Sequence, residues 1–222
     1  MISAALEIRH LMASGQVWVS GGGRGEAPAA WGFAEITGML VELGGGSPSA
    51  AWTAAVSLVL DAQRLAEPVV WVTLPGATFF PPDVAANGVD LGGLAVVRAP
   101  GSAAASRAAD SLLRSGAFGL VVMELSAGCE LPMPVQVRLA GLAKRHGSVL
   151  CCLCPTSLEG PGARRVGVGA AGRLSLASLR AMSTWKRAGS GRFSCGLEVV
   201  KDKRRGHPWE CVQVLSGPVG LR

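Results

Sequence analysis

The chain has 222 residues, of which 49% are hydrophobic and 16% charged, with a formal net charge of +6. This composition demands a folded core and excludes disordered, fibrous and collagen-like chains. No apolar run reaches the roughly 18 residues that would cross a bilayer, and the start MISAALEIRHLMASG lacks the basic region and long apolar stretch of a secretory leader. A cytoplasmic protein without membrane contact is expected.

Residues 3–14 read as a short helix with Leu6, Ile8, Leu11 and Met12 apolar, and Val17–Val19 as a strand, giving an N-terminal element over residues 1–20. GGGRGEAPAAWG, residues 21–32, is a Gly/Pro/Ala linker. The core domain spans residues 33–216. Within it, strands are predicted at Met39–Leu43, Val69–Leu74, Leu94–Val97, Gly119–Leu125 and Ser148–Leu153, their apolar runs marking buried parallel strands. A helix over Ser49–Ala66 is predicted to turn Trp52, Ala55, Val56 and Val59 to the core, and a helical turn at Asp83–Asn87 follows Pro81 and Pro82. Two more helices run from Ser102, a capping hydroxyl, to Ser115 and from Pro134 to His146. Such alternation predicts an α/β fold, three layers around a mainly parallel sheet. After Pro155 the pattern changes: SLEGPGARRVGVGAAGR (157–173) is a basic, Gly-rich loop. Leu179–Lys186, Phe193–Lys201 and Trp209–Leu215 then follow without helices, as an antiparallel extension of the sheet. GPVGLR, residues 217–222, is a tail.

The stretch GMLVELGGGSPSAAWT (38–53) passes from an apolar strand through a glycine-rich turn into a helical pattern, the place of a phosphate-binding loop. Against G-x-x-x-x-G-K-[ST], Gly45 keeps the first glycine, whereas Ala50 replaces the second, Ala51 the lysine and Trp52 the metal-binding hydroxyl. A charge-assisted contact is worth about 1.5–3 kcal/mol. Losing the lysine and the hydroxyl together removes roughly two to four decades of nucleotide affinity.

Of the cysteines, Cys151, Cys152 and Cys154 lie in the strand-like SVLCCLCP, and Cys129, Cys195 and Cys211 are scattered with no histidine at ligand spacing. They read as core hydrophobes, and no metal site is expected. The net charge divides along the chain. Residues 1–137 carry six Lys/Arg against eleven Asp/Glu, or −5, and residues 138–222 carry fifteen against four, or +11. Such asymmetry points to a polyanion or an acidic partner at one end or face, or to a solvated basic surface. Arg164, Arg165 and Arg173 in the loop and Lys201, Lys203, Arg204 and Arg205 in a later turn are the candidate DNA- or partner-binding cations. Trp185, beside Lys186 and Arg187, is either a stacking platform or a buried or edge-strand tryptophan.

The order of these segments resembles the ATPase core of the RecA recombinase family over residues 38–215. GMLVELGGGSPSAAWT is similar to that family's strand, phosphate loop and helix, and NGVDLGGLAVVRAP (87–100) to the end of its next strand unit. RSGAFGLVVMELSA (114–127) resembles its Walker B strand, with Glu124 where the family has an aspartate. RLAGLAKRHGSVLCCLCP (138–155) resembles the helix and strand that follow. In LEVVKDKRRGHPWE (197–210), Lys201 and Lys203 match lysines that in RecA reach the neighbouring protomer's nucleotide. The family's catalytic carboxylate follows the strand that ends here at Leu74, but Pro75 and Gly76 stand there instead. The first DNA-binding loop of RecA corresponds to a short connection between Glu124 and Pro134, and the second to residues 157–173.

A RecA-like chain of this length without working Walker residues is most similar to the ImuA family, the RecA-related accessory factors of the bacterial mutasome. The resemblance implies a non-enzymatic, cofactor-free role near the nucleoid, in damage-induced mutagenic translesion synthesis. It also implies binding to ImuB, an inactive Y-family polymerase relative, and to RecA, with an error-prone C-family polymerase as an indirect partner. Leu6, Ile8, Leu11 and Met12 either form a reduced RecA-type docking element or fold back on their own core. The alternative is a sequence-nonspecific DNA-binding RecA paralogue that uses its basic C-terminal surface.

Overall fold

The computed structural model describes residues 31–45, 49–76, 79–155, 174–187, 192–206 and 208–216. Leu6, Ile8, Leu11 and Met12, the basic loop with Arg164, Arg165 and Arg173, and the tail 217–222 lie outside the described residues.

Eight strands form one sheet in the order β3-β2-β4-β5-β1-β6-β7-β8. They are β1 (Leu40–Gly45), β2 (Val69–Thr73), β3 (Leu94–Arg98), β4 (Leu120–Glu124), β5 (Val149–Pro155), β6 (Leu179–Arg187), β7 (Arg192–Asp202) and β8 (Trp209–Ser216). The helices are α1 (Ala51–Arg64), α2 (Pro81–Ala86), α3 (Ser102–Ser115) and α4 (Met133–His146). From β3 to β6 every neighbouring pair is parallel. The C-terminal strands add by antiparallel pairing of β6 with β7 and β7 with β8. Because β6 itself runs parallel to β1, β7 is the strand that opposes the rest of the sheet.

Right-handed crossovers explain the layers. The chain steps one way across the sheet from β1 to β2 and β3, then back from β3 through β4 to β5, so its helices fall on opposite faces. α1 and α2 cover the face carrying Val41, Leu43, Val69, Trp71 and Val122. α3 and α4 cover the face carrying Leu40, Val70, Val72, Val121 and Leu150. Residue alternation along each strand feeds both cores, which is why these strands read as unbroken apolar runs. Trp31 belongs to the packed unit, since it is buried and its indole donates to the Ala54 carbonyl at 3.1 Å.

Two local expectations change. Gly101, not Ser102, occupies the N-cap of α3, and the Ser102 hydroxyl donates to Ser126 Oγ at 3.1 Å while accepting from the Ser126 amide. On α1 the core face is Ala51, Ala54, Ala55, Leu58, Val59 and Ala62, with Trp52 and Val56 partly buried at its margin. The cysteines behave as core hydrophobes: Cys151, Cys152, Cys154 and Cys195 are buried free thiols. Cys151 and Cys154, three apart on a strand, enter opposite cores. Burial pushes the Cys151 and Cys195 thiols up to about 12. Among the described residues no helix is long and apolar enough to cross a membrane.

Candidate functional site

In an open α/β sheet, ligands bind beyond the carboxyl ends of strands whose connections leave to opposite faces. Here β2 leads to α2 on one face and its neighbour β4 leads to α4 on the other. Glu124, the last residue of β4, and Thr73, the last of β2, sit at that point with Trp71 one alternation below Thr73. Residue parity aims Trp71 and Thr73 toward α1.

The three groups form one closed assembly with the start of α1. Glu124 is buried, and its Oε1 accepts the Trp71 indole N–H at 2.6 Å. Its Oε2 accepts the Leu74 amide at 3.4 Å, and the Thr73 hydroxyl adds a further hydrogen bond. Burial raises the Glu124 pKa above the ordinary carboxyl value, and the Trp71, Thr73 and Leu74 hydrogen bonds offset only part of that rise. Trp71 is fully buried, stacks on Trp52 at 5.2 Å between ring centroids, and meets Phe79 at 5.1 Å in a tilted contact. Aromatic pairs of this kind add about 0.5–1.5 kcal/mol beyond the area they bury. Glu124, which the RecA resemblance matches to the Walker B strand, therefore faces an indole, and Trp52, which it matches to the metal-binding hydroxyl, covers that indole.

The strand-to-helix turn is equally occupied. A helix N-terminus attracts anions through amides that have no partner in the helix. The Ala51 amide donates to Ser49 Oγ at 3.2 Å. Ser49 Oγ lies 3.5 Å from Ser183 Oγ, which in turn donates to the Gly44 carbonyl at 2.9 Å. Gly45 sits beneath this knot. A Cβ there would overlap Ser49 Oγ and stand 2.7 Å from Ser183 Oγ, so the glycine permits a close approach of β1, β6 and the turn. Ala50 and Ala51 are buried against α1's own core and present no polar side chain. Past β2, where the RecA resemblance places the catalytic carboxylate, Pro75 and Gly76 form a turn, with Gly76 at φ 74°.

The described cations of the late turn are turned toward their own chain. Lys201 Nζ donates to the Ser175 carbonyl at 2.9 Å and Lys203 Nζ to the Leu176 carbonyl at 3.3 Å. Partial burial, then the nearby Lys203 and Arg180 charges, lower the Lys201 pKa. Arg204 grips the Glu35 and Thr37 carbonyls at 2.7 and 2.8 Å. Arg205 pairs with Glu35 at 2.8 Å and lies 5.2 Å above the Trp209 ring. These four side chains clamp the turn between β7 and β8 onto the segments before β1 and β6. Trp185 is 39% exposed and packs edge-on against Phe193 at 5.4 Å; it lies on β6, which pairs with both β1 and β7, so it is not on an edge strand. No cluster of metal-ligating side chains occurs among the described residues.

Glu124, Ala50, Ala51 and Trp52, singled out from the sequence, lie near Trp71, Phe79, Ser49 and Ser183, which the sequence reading did not single out. Trp71 was legible in part: it is a bulky, donor-bearing ring in a strand otherwise made of Val and Thr. Its parity matches Thr73, at the strand end beside Glu124.

The crystal structure of the RadB recombinase is similar to this chain, with a TM-score of 0.60 at 15% identity over 80% of this chain and 87% of RadB. The fold is RecA-like. No protein-family model matches the sequence, and no curated protein does.

Proposed function

We propose that this RecA-like protein is a non-catalytic accessory factor of the ImuA type, acting in damage-induced mutagenic translesion DNA synthesis by binding ImuB, RecA or both. The observation that carries the reading is the Glu124–Trp71–Trp52 assembly. Where a RecA-like ATPase needs a phosphate, a metal and an attacking water, this chain has an indole held by the carboxylate and a second indole stacked upon it. What supports a non-catalytic reading is that Glu124, the carboxylate such chemistry would use, already accepts the Trp71 indole N–H.

A surface for partners remains. β3 is an edge strand, paired on one side to β2, with Val96 39% exposed. Such an edge takes up an added strand from another chain. That suits association with RecA through the faces RecA uses to assemble with itself. The basic C-terminal turn is a weaker candidate for DNA, since its described cations already hold carbonyls of their own chain.

The test is calorimetry with ATP and Mg²⁺, run beside pull-downs against ImuB and RecA. No heat up to millimolar ATP, with capture of either protein, is the expected result. Micromolar ATP binding, or capture of neither protein, overturns the reading.

A further inference from the structure

The face opposite the filled site carries a surface that the reading above does not use. On α4, Met133, Val137 and Gly141 recur every four residues and so share one side of the helix. Met133 is 50% exposed and Val137 56% exposed. Apart from its own helix backbone and chain neighbours, a Cβ on Gly141 would meet no atom within 4 Å. A mid-helix glycine weakens a helix relative to alanine, and nothing in this fold's own packing requires one there.

The charges around that stripe have one sign. α3 and α4 together carry Arg107, Arg114, Arg138, Lys144 and Arg145 against Asp110 alone. Between the helices runs a groove of about 350 Å³ whose lining includes Arg107, Asp110, Arg114, Val135, Arg138 and Leu139. Asp110 bridges Arg138 across the groove and Arg114 along its own helix at 3.3 Å, which holds two guanidinium groups at the rim. On the opposite layer, α1 and α2 carry Asp61 and Asp83 against Arg64. The two helix layers therefore differ in charge, the α3–α4 layer being the basic one.

We infer that the outer α3–α4 face is a docking surface for an acidic amphipathic helix of a partner protein. Its apolar side would lie along Met133 and Val137, its backbone would approach over Gly141, and its carboxylates would meet Arg107, Arg114 and Arg138. Charge complementarity selects the acidic partner, and the exposed apolar pair selects a helix groove contact. A nucleic-acid strand fits less well, because neither helix bears a Trp, Tyr or Phe for base stacking and an apolar stripe offers phosphates nothing.

The experiment uses the full chain and a fluorescent, helix-forming peptide of about twenty residues built from Leu and Glu in amphipathic order, with a Leu/Lys peptide and a single-stranded oligonucleotide as comparison probes. Saturable binding of the Leu/Glu peptide is expected, weakened at least tenfold by Val137→Glu and unchanged by Arg64→Glu on the other layer. Gly141→Leu separates docking from folding: it is expected to raise the thermal midpoint while also weakening the peptide at least tenfold. Three results overturn the inference: equal binding of the Leu/Lys peptide, binding of the oligonucleotide but not the Leu/Glu peptide, or peptide binding indifferent to both variants. Self-association in sedimentation that Val137→Glu abolishes also overturns it, by making a second copy the occupant.

Discussion

Trp71 Nε1 lies 2.6 Å from Glu124 Oε1, inside the sheet and beneath the first turn of α1. The pair inverts the usual demand on a carboxylate at the end of such a strand. It faces no cation among its described contacts, so burial favours its neutral form and its pKa is raised.

A raised carboxyl pKa in the folded state has a definite sign. The stability linked to Glu124 is fully present below its unfolded value, about 4.3, and is lost as pH rises through the higher folded value. Glu124→Gln keeps an acceptor for the indole and removes the ionisation. Urea denaturation from pH 4 to 8 is expected to show the variant gaining on the natural chain as pH rises across this window. A constant difference between the two curves would mean that Glu124 does not titrate differently on folding. Glu124→Ala, which leaves the buried indole N–H without its acceptor, is expected to cost about 1–3 kcal/mol at pH 4 and less as pH rises, because the variant lacks the group whose ionisation destabilises the natural chain.

The two stacked tryptophans should differ in weight. Trp71 is fully buried, whereas Trp52 lies at the core's margin. Trp71→Ala is expected to cost about 3–5 kcal/mol, in the range of large-to-small core changes, and Trp52→Ala less. The paired substitution Ala51→Lys with Trp52→Thr supplies the lysine and the hydroxyl of the phosphate-loop pattern and leaves Ala50 in place of its second glycine. It is expected to give no calorimetric heat with millimolar ATP and Mg²⁺, because Trp71 still occupies Glu124. Micromolar binding by that variant would place the whole defect in the loop.

The fold was legible because its signals are local. Apolar runs such as Val69–Thr73 and Leu120–Glu124 mark buried strands wherever they pair, and Gly116 and Gly147, both in the left-handed conformation, end α3 and α4 where the chain needs φ > 0. The site was legible only as a loss. Substitutions at Ala50, Ala51 and Trp52 announce what is missing along the chain. What fills the space comes from β2, β6 and Phe79, which only the tertiary fold brings to the start of α1. The cap of α3 was misread for a related reason: Ser102 has a better partner in Ser126, and glycine serves at the N-cap without a side chain.

Gly45 tests whether the turn before α1 is packed as tightly as its contacts imply. A methyl group there meets Ser49 Oγ and both the hydroxyl and the carbonyl of Ser183, the last at 2.8 Å. Gly45→Ala is expected to destabilise by about 1–3 kcal/mol, the usual cost of overpacking, and Ser183→Gly in the same chain to recover part of it. Thermal melts of the single and double variants decide this. Additive losses would show that the turn relaxes around the methyl group without involving β6.

Glu42 and Arg180 face each other across β1 and β6, with Arg180 Nε donating to Glu42 Oε2 at 2.8 Å. Both side chains are largely buried, at 6% and 17% exposure, and the same carboxylate oxygen accepts the Leu174 amide at 3.3 Å. Arg180 also donates to the Leu174 carbonyl at 3.2 Å, so the pair fastens the chain entering β6 to the middle of the sheet. Removing one partner of a buried pair costs about 3–5 kcal/mol, whereas replacing both by apolar groups is often neutral. Arg180→Met is therefore expected to destabilise strongly, and Glu42→Leu with Arg180→Met together by far less than the sum of the single changes. Denaturant midpoints for the full double-mutant cycle measure the coupling. If the losses simply add, the two side chains do not act as a unit, and the anchoring of Leu174 rests on its backbone contacts alone.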